Sequence, residues 1–563
     1  MHKTIQLLTR IIKQGRSYIP FFIAQGLIGF ISMPLDLYGL FLFRKLIDKG
    51  FLLQDWQTTK NILLILLALF VIRSVSTFGA SLFFSKIKLR MNQYFQNMLF
   101  SHILYLPVRF FSREPTGQLM SRLFSDSTLF ANIFSLIFNK ILLSPIKLLV
   151  LLLVLAYFNL QLCILMTAAS LFSIFIIQRM GFKLDLVSKE FQNQNAAAFS
   201  YLEQILSNIE LIKIKATETK TATTFTHILT ELIGISVRTL KISLVSQWIL
   251  QSLTFLAMGV AFVYGSWLVS KGVLTIGTLA TFLGIAYLFF NTILSLSNDY
   301  GSLRETLARF EILFSILDTH PEKPQPQVNP NSTLRIESVE FCKVNFSYEI
   351  KRPVLNDITF TLKRGQTVGI TGQSGSGKTT LMRLLARFYE PDEGEIQING
   401  ESLHEMDPHS LRSAMGIVFQ ENLILPDTIY NNIGYGNQTL SETAIIAVAR
   451  ISQIHDFIQS LPHRYESMIG EGGKGLSGGQ RQRLAIARAL VSDPEILILD
   501  EATSFIEVDQ EMKILQKIKE TRKEKITVII SHRLSAIRLS DRILTLDNGV
   551  LIETDFKSLV KTL

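Results

Sequence analysis

The run Gly372-Gln373-Ser374-Gly375-Ser376-Gly377-Lys378-Thr379 has the spacing G-x-x-x-x-G-K-T, which suits it to hold phosphate. Its glycines let successive backbone N–H groups wrap phosphate oxygens, while the Lys378 ammonium neutralises the terminal ones and the Thr379 hydroxyl reaches a divalent cation. Thr380 follows as a further candidate contact. A strand-like stretch at 367–371 precedes the loop and a helical pattern at 380–388 follows it, so the helix N-terminus would face the anion. Further along, the apolar run 496–499 is expected to be a buried parallel strand, and it ends in Asp500 and Glu501. Ligands of open α/β sheets sit at that strand edge. Asp500 is therefore the candidate cation-side carboxylate, and Glu501 the candidate base that orients or deprotonates an attacking water.

Between these clusters, Leu476-Ser477-Gly478-Gly479-Gln480 opens a basic helix over 481–490, offering another set of N–H donors at a helix N-terminus. The order of phosphate loop, L-S-G-G-Q, Asp500-Glu501 and then His532 resembles the ATP-binding cassette of the ABC transporter family. The resemblance implies ATP with Mg²⁺, and an ATPase site shared between two cassettes. Ser477, Gly478, Gly479 and Gln480 of one cassette would close over ATP held by the phosphate loop of the other. It also implies that Tyr348, in Phe346-Ser347-Tyr348, stacks on adenine, and that His532 contacts the γ-phosphate. Gln420, in the segment 416–422, would sense Mg²⁺ and water and touch the membrane domain. The implied catalytic set is Glu501, His532 and Gln420, and the implied Mg²⁺ set is Thr379, Gln420 and Asp500. Two departures stand out. The family usually continues Glu501-Ala502-Thr503 with Ser-Ala-Leu-Asp, but this chain has Ser504-Phe505-Ile506-Glu507, a bulkier turn whose carboxylate is one methylene longer, which bears on communication between the two ATP sites. The segment 469–475 keeps the family's Gly-Glu and lacks the usual Arg after it, which bears on contact with a partner's membrane loops.

These motifs occupy the second half of a chain that is too apolar overall for an ordinary soluble protein, with 48% hydrophobic residues and a mean hydropathy of +0.31. The excess lies before the cassette. About 20 apolar residues cross a bilayer, and six candidate spans follow one another at 20–43, 62–84, 136–158, 160–177, 246–269 and 276–296. A cassette in the cytosol and an even number of spans place the N-terminus, with Lys3, Arg10, Lys13 and Arg16, on the cytoplasmic side, as the positive-inside tendency expects. Against that tendency, the first outer loop carries Arg44, Lys45, Lys49 and Lys60. The third and fourth spans meet at Asn159, whereas the polar segments 86–126 and 181–241 are long enough for helices to continue well into the cytoplasm. Parts of these segments, 106–126 and 202–218, are similar to the two coupling loops of homodimeric-type ABC exporters, so the resemblance covers nearly the whole chain.

The expected organisation is a six-helix α-helical transmembrane domain over 1–318, a linker over 319–333 marked by Pro321, Pro324, Pro326 and Pro330, and an α/β P-loop NTPase cassette over 334–563. No peptidase domain is expected before the first span, and the segment from Tyr18 is expected to be an uncleaved anchor. Cys163 and Cys342 fall in different domains and suggest neither a disulfide framework nor a metal site. The net charge of +10 is assigned to membrane-proximal Lys and Arg, and no nucleic-acid partner is expected, since no basic-aromatic module is visible. The chain is thus expected to be a half-size exporter in the cell inner (cytoplasmic) membrane, working with a second copy of itself or a related half-transporter. Membrane lipids would surround it, and it would move an amphipathic lipid, drug or peptide. Rival readings are a subunit of a heterodimeric exporter and an ATP-gated regulatory membrane protein that does not pump. Arg73 and Lys147 lie near the middle of the second and third spans, where an unpaired cation costs about 2.5–3.5 kcal/mol on insertion scales, so each should face a cavity or a partner. Asp36 is the candidate partner of Arg73. The alternative is a cavity for an acidic head group, similar to that of lipid A-type flippases, although the last span, 276–296, departs from that pattern in lacking Lys and Arg.

Overall fold

The computed structural model describes residues 2–114, 116–322, 334–349, 352–437 and 440–558. They divide into two compact units, one formed by 1–103 with 117–319 and the other by 104–116 with 320–563. The linker prolines Pro324, Pro326 and Pro330 lie outside the described residues.

In the first unit, six helices among the described residues are long and apolar enough to cross a membrane. Each of the six apolar stretches lies in one of them. Four run far beyond the bilayer: Trp56–Leu104, Leu160–Ser207, Glu218–Ser270 and Ile276–Asp318. At about 1.5 Å per residue they exceed the roughly 30 Å of a hydrocarbon core about twofold. The third span is composite. Wider π-helical turns at Arg122–Asp126 and Leu136–Ile141 interrupt it before the regular helix Leu143–Phe158, a local loosening that hydropathy cannot reveal. Asn159, in extended conformation, ends that helix and caps the next, its Oδ1 accepting from Leu162 N at 3.0 Å.

Apolar packing within this unit centres on Leu151, Leu155, Leu162, Met166, Phe282 and Phe290. The second span contributes little to it, for its apolar side chains face outward, as expected where lipid replaces water. Asp48 reaches from the end of the first span to the start of the last, accepting from Thr275 Oγ1 at 2.7 Å and Gly277 N at 2.8 Å. A carboxylate at that N-terminus satisfies orphan N–H groups and opposes the positive end of the helix dipole.

The second unit holds two sheets. An antiparallel sheet has the order β2-β1-β4-β5, with β1 Ser338–Ser347, β2 Pro353–Lys363, β4 Glu393–Ile398 and β5 Glu401–Ser402. The larger sheet has the order β10-β9-β3-β8-β7-β6, from β3 Thr367–Gly372, β6 Met415–Val418, β7 Ile496–Asp500, β8 Ile526–Ile530, β9 Arg542–Asp547 and β10 Val550–Glu553. Strands β9 to β6 run parallel and β10 is antiparallel. All residues of β7 and β8 are buried, as central strands covered on both faces require. The fold class is therefore a six-helix transmembrane region followed by an α/β P-loop cassette.

Candidate functional site

Strand order gathers the candidate residues. Neighbouring parallel strands β3, β8, β7 and β6 end respectively in the phosphate loop, the Ser531-His532 turn, Asp500-Glu501 and the segment leading to Gln420. The edge at which they converge is the carboxyl edge, where ligands of open α/β sheets bind.

The loop from Gly372 to Gly377 turns into the helix Lys378–Leu385. Gly377 has φ +105°, a left-handed conformation costly for any residue with a Cβ, and a Cβ there would also come within 2.9 Å of Leu355. Lys378 Nζ donates to the carbonyls of Gly372 at 2.9 Å and Gln373 at 2.8 Å, which holds the ammonium against the loop. Its burial lowers its pKa, and the charges of Glu501 and Asp500 oppose that shift. Ser376 Oγ is buried and has no hydrogen-bond partner among the described residues, so this hydroxyl suits a phosphate oxygen. Gln373, Ser374 and Gly375 complete the loop. At the open side, the half-buried Tyr348 packs edge-on against Phe346 and Tyr389, with ring centroids 4.9 and 5.1 Å away. Its hydroxyl lies 3.2 Å from Thr380 Oγ1 and accepts from Arg383 at 3.3 Å, tying the ring to the loop helix.

Thr379 Oγ1 donates to Asp500 Oδ2 at 2.7 Å. A hydroxyl beside a carboxylate is a hard oxygen pair, and it fits Mg²⁺, which keeps water and phosphate oxygens as its remaining ligands. Burial raises the pKa of Asp500, against the Thr379 hydrogen bond and the nearby cations. A raised carboxyl pKa costs the folded state stability once the group ionises: the cost is absent below the ordinary value of 3.8 and complete above the folded-state value. Asp500→Asn keeps an oxygen for Thr379 and removes this cost. It is expected to raise the thermal midpoint of the nucleotide-free protein at pH 7 on the order of a few degrees while abolishing ATP hydrolysis. A lower midpoint by calorimetry would contradict it.

Glu501 follows Asp500 with φ +48°, an uncommon conformation for a residue bearing a Cβ and one that gathers at functional sites. The turn is held by Glu501 N donating to Ile530 O at 3.0 Å. Its carboxylate is bracketed: Gln420 Nε2 donates to Oε2 at 3.0 Å, and His532 Nε2 lies 3.2 Å from Oε1. Gln420, Glu501 and His532, far apart in sequence, thus form one polar cluster.

The signature helix spans Gly478–Leu490 with Ser477 as its N-cap. Ser477 Oγ accepts from Gln480 N at 3.3 Å and Gln480 Oε1 accepts from Ser477 N at 2.7 Å, a reciprocal capping box. Among the described residues these side chains make no hydrogen bond to the phosphate loop of their own chain. The unusual Phe505 is largely exposed and lies over the signature. A Cβ on Gly478 would meet its side chain at 3.2 Å, and one on Gly479 would meet its carbonyl oxygen at 2.9 Å.

Three polar residues that motif reading passes over hold this machinery. Gln482 and Glu511 are fully buried. Glu511 accepts from Thr503 and from Ser535 Oγ, the latter at 2.7 Å, and so joins the turn after Glu501 to the short helix Leu534–Ile537 after His532. Arg533 donates to the carbonyls of Thr503, Ser504 and Ile506 at 2.6–3.2 Å. The available signal was periodicity, since Gln482 shares a helical stripe with Ala485, Ile486 and Ala489, and Glu511 with Ile514, Leu515 and Ile518.

In the membrane unit, Arg73 forms an ion pair with Asp36 at 2.5 Å. Lys147 is half-buried, and Asp36 lies in the electrostatic field of both cations.

Comparison with known proteins agrees with this architecture. The family described as ABC transporter transmembrane region matches residues 22–293, and the family described as ABC transporter matches residues 355–504. The ATP-dependent lipid A-core flippase of Syntrophus aciditrophicus is 31% identical over 98% of this chain and 92% of its own length. That of Haemophilus ducreyi is 30% identical over 98% and 94%. Among solved structures, a bacterial Atm1-family ABC exporter with ATP bound superposes with a TM-score of 0.85 at 26% identity, covering 97% of both chains. The chain therefore belongs to the ABC transporter family, as a multi-pass membrane protein with a fused ATP-binding cassette that couples ATP hydrolysis to export.

Proposed function

We propose that two copies of this chain form a homodimer in the cell inner (cytoplasmic) membrane, with N-termini and cassettes in the cytoplasm, and that it flips or exports an anionic, lipid-like amphiphile. The observation that carries the ATPase assignment is the Glu501 carboxylate, set between Gln420 and His532 on the same sheet edge as the phosphate loop. Backbone N–H groups of residues 373–377, Lys378 and Ser376 hold the phosphates, and Tyr348 stacks on the base. Thr379, Asp500 and Gln420 would hold Mg²⁺, which would supply neutralisation of the negative charge on the phosphates. Glu501 accepts the proton of the attacking water, while Gln420 and His532 fix its carboxylate and His532 faces the terminal phosphate. Ser477, Gly478, Gly479 and Gln480 of the second chain complete the site. The capping box engages Ser477 N and Gln480 N, and the Gly478 and Gly479 N–H groups outside it are available to an anion. Closure of the cassettes would rock the helices outward, and product release would reset them.

The substrate reading rests on the lipid A-core flippases among the relatives and on the two cations near mid-membrane. Arg73 and Lys147 outnumber Asp36, which leaves net positive charge for an acidic head group among apolar surroundings. In nanodiscs, an anionic lipid is expected to stimulate ATPase turnover. Arg73→Gln with Lys147→Gln should reduce the ratio of stimulated to basal rate to about one, because intramembrane cations in excess of their carboxylate partner mark the substrate path. Arg73→Gln with Asp36→Asn serves as a charge-balanced control, since removing Arg73 alone leaves Asp36 without its ion-pair partner. Full stimulation in the Arg73/Lys147 variant would rule out the head-group role.

A further inference from the structure

One buried amide connects the signature helix to the catalytic carboxylate of the same chain. Gln482 lies one turn into the signature helix and is fully buried. Its Nε2 donates to the carbonyl of Glu501 at 3.3 Å and to Ser504 Oγ at 2.8 Å, and its Oε1 accepts from Phe505 N at 2.9 Å. Both donors and an acceptor of the amide are thereby committed to the segment that begins at Glu501. That segment has little freedom. Glu501 is held at φ +48°, the Phe505 side chain rests on Gly478, and the Phe505 carbonyl abuts Gly479. From the other side, Arg533 binds the carbonyls of Thr503, Ser504 and Ile506. A displacement of the signature helix therefore pulls directly on the peptide whose Cα carries the Glu501 carboxylate. The opposite arm cannot relax freely, because it is fixed to the loop after His532.

We propose that Gln482 is a positioning residue for hydrolysis, passing the placement of the signature helix, closed over ATP at one site, to the Glu501 carboxylate at the other. This rests on the reading of the protein as a dimer with shared sites. It assigns to a single side chain the coupling through the Ser504-Phe505 turn. The bulk of Phe505 adds to the link, since the side chain lies against Gly478 and hinders sliding of the turn across the start of the signature helix.

The test uses the full-length protein in nanodiscs and compares Gln482→Met, of similar volume without the polar end, with Gln482→Glu, which keeps an acceptor for Phe505 N but loses both donated bonds. A misplacement of about 1 Å in catalytic geometry costs up to about 10²-fold. Both variants are therefore expected to lower kcat by about 10- to 100-fold with KM for ATP nearly unchanged, and to bring the Hill coefficient of hydrolysis down towards one. A merely structural role would reduce the folded fraction, and kcat with it, without altering the Hill coefficient. Ser504→Ala, at an exposed position, removes a single bond without threatening the fold and should give a smaller change in the same direction. Full kcat in Gln482→Met, recovery in Gln482→Glu, or a lowered kcat with the cooperativity of the unmutated protein would each overturn the proposal. A unit Hill coefficient and a monomeric mass for the unmutated protein with ATP would instead refute the dimer. The kcat comparison would still decide the Gln482–Glu501 link, which lies within one chain.

Discussion

Glu501→Gln is expected to retain ATP binding and lose turnover by about 10²- to 10⁴-fold, the usual contribution of a general base. The substitution preserves the volume and reach of the side chain, and the amide can still meet Gln420 and His532, which now lie 3.0 and 3.2 Å from the carboxylate. What disappears is the ability to accept a proton from water. In the proposed site phosphate is bound by other groups, namely the loop backbone, Lys378 and the Thr379–Asp500 pair, so affinity should persist. With binding intact and hydrolysis removed, two chains should remain closed over ATP. Labelled ATP should therefore stay with the variant through gel filtration while phosphate release falls. Near-normal phosphate release would show that Glu501 is not the base.

The strand–loop–helix around Lys378 and the buried strand ending in Asp500 were legible because each combines a period, a breaker and a chemistry-bearing terminus within a few residues. The six spans were legible because a bilayer imposes length and apolarity together. Other features depend on strand order, which local sequence does not encode. Gln420, Glu501 and His532 meet only because β6, β7 and β8 are neighbours, and before the structure their association rested on family resemblance alone. Gln482, Glu511 and Arg533 escaped notice because their work is done through backbone carbonyls and hydroxyls of segments remote in sequence. The pairing of Arg73 with Asp36 was foreseen as a structural alternative and is present. The π-helical turns of the third span were not foreseen, since a widened turn leaves hydropathy unchanged. The segment 104–116, assigned in sequence to the membrane domain's cytoplasmic loop, groups with the cassette, where Tyr105 O accepts from Glu322 N at 2.7 Å.

The dimer with shared ATP sites is tested most directly by complementation between two dead chains. Lys378→Ala removes the ammonium at the phosphate loop, and Ser477→Ala removes the N-cap that orders the signature helix, a loss of about 1 kcal/mol in capping alone, together with the proposed donor to phosphate. If each site takes its loop from one chain and its signature from the other, homodimers of either variant carry two damaged sites. A mixed dimer carries one doubly damaged site and one intact site. Co-expressed chains bearing different affinity tags, purified through both in succession, should therefore recover part of the turnover that each homodimer lacks, lowered by the coupling of the intact site to the damaged one. ATPase rate and retained labelled ATP of the doubly purified mixed dimer are the deciding measurement: turnover above both parents is the result expected from sites shared in trans, and a mixed dimer that neither turns over nor retains ATP above both parents would contradict it.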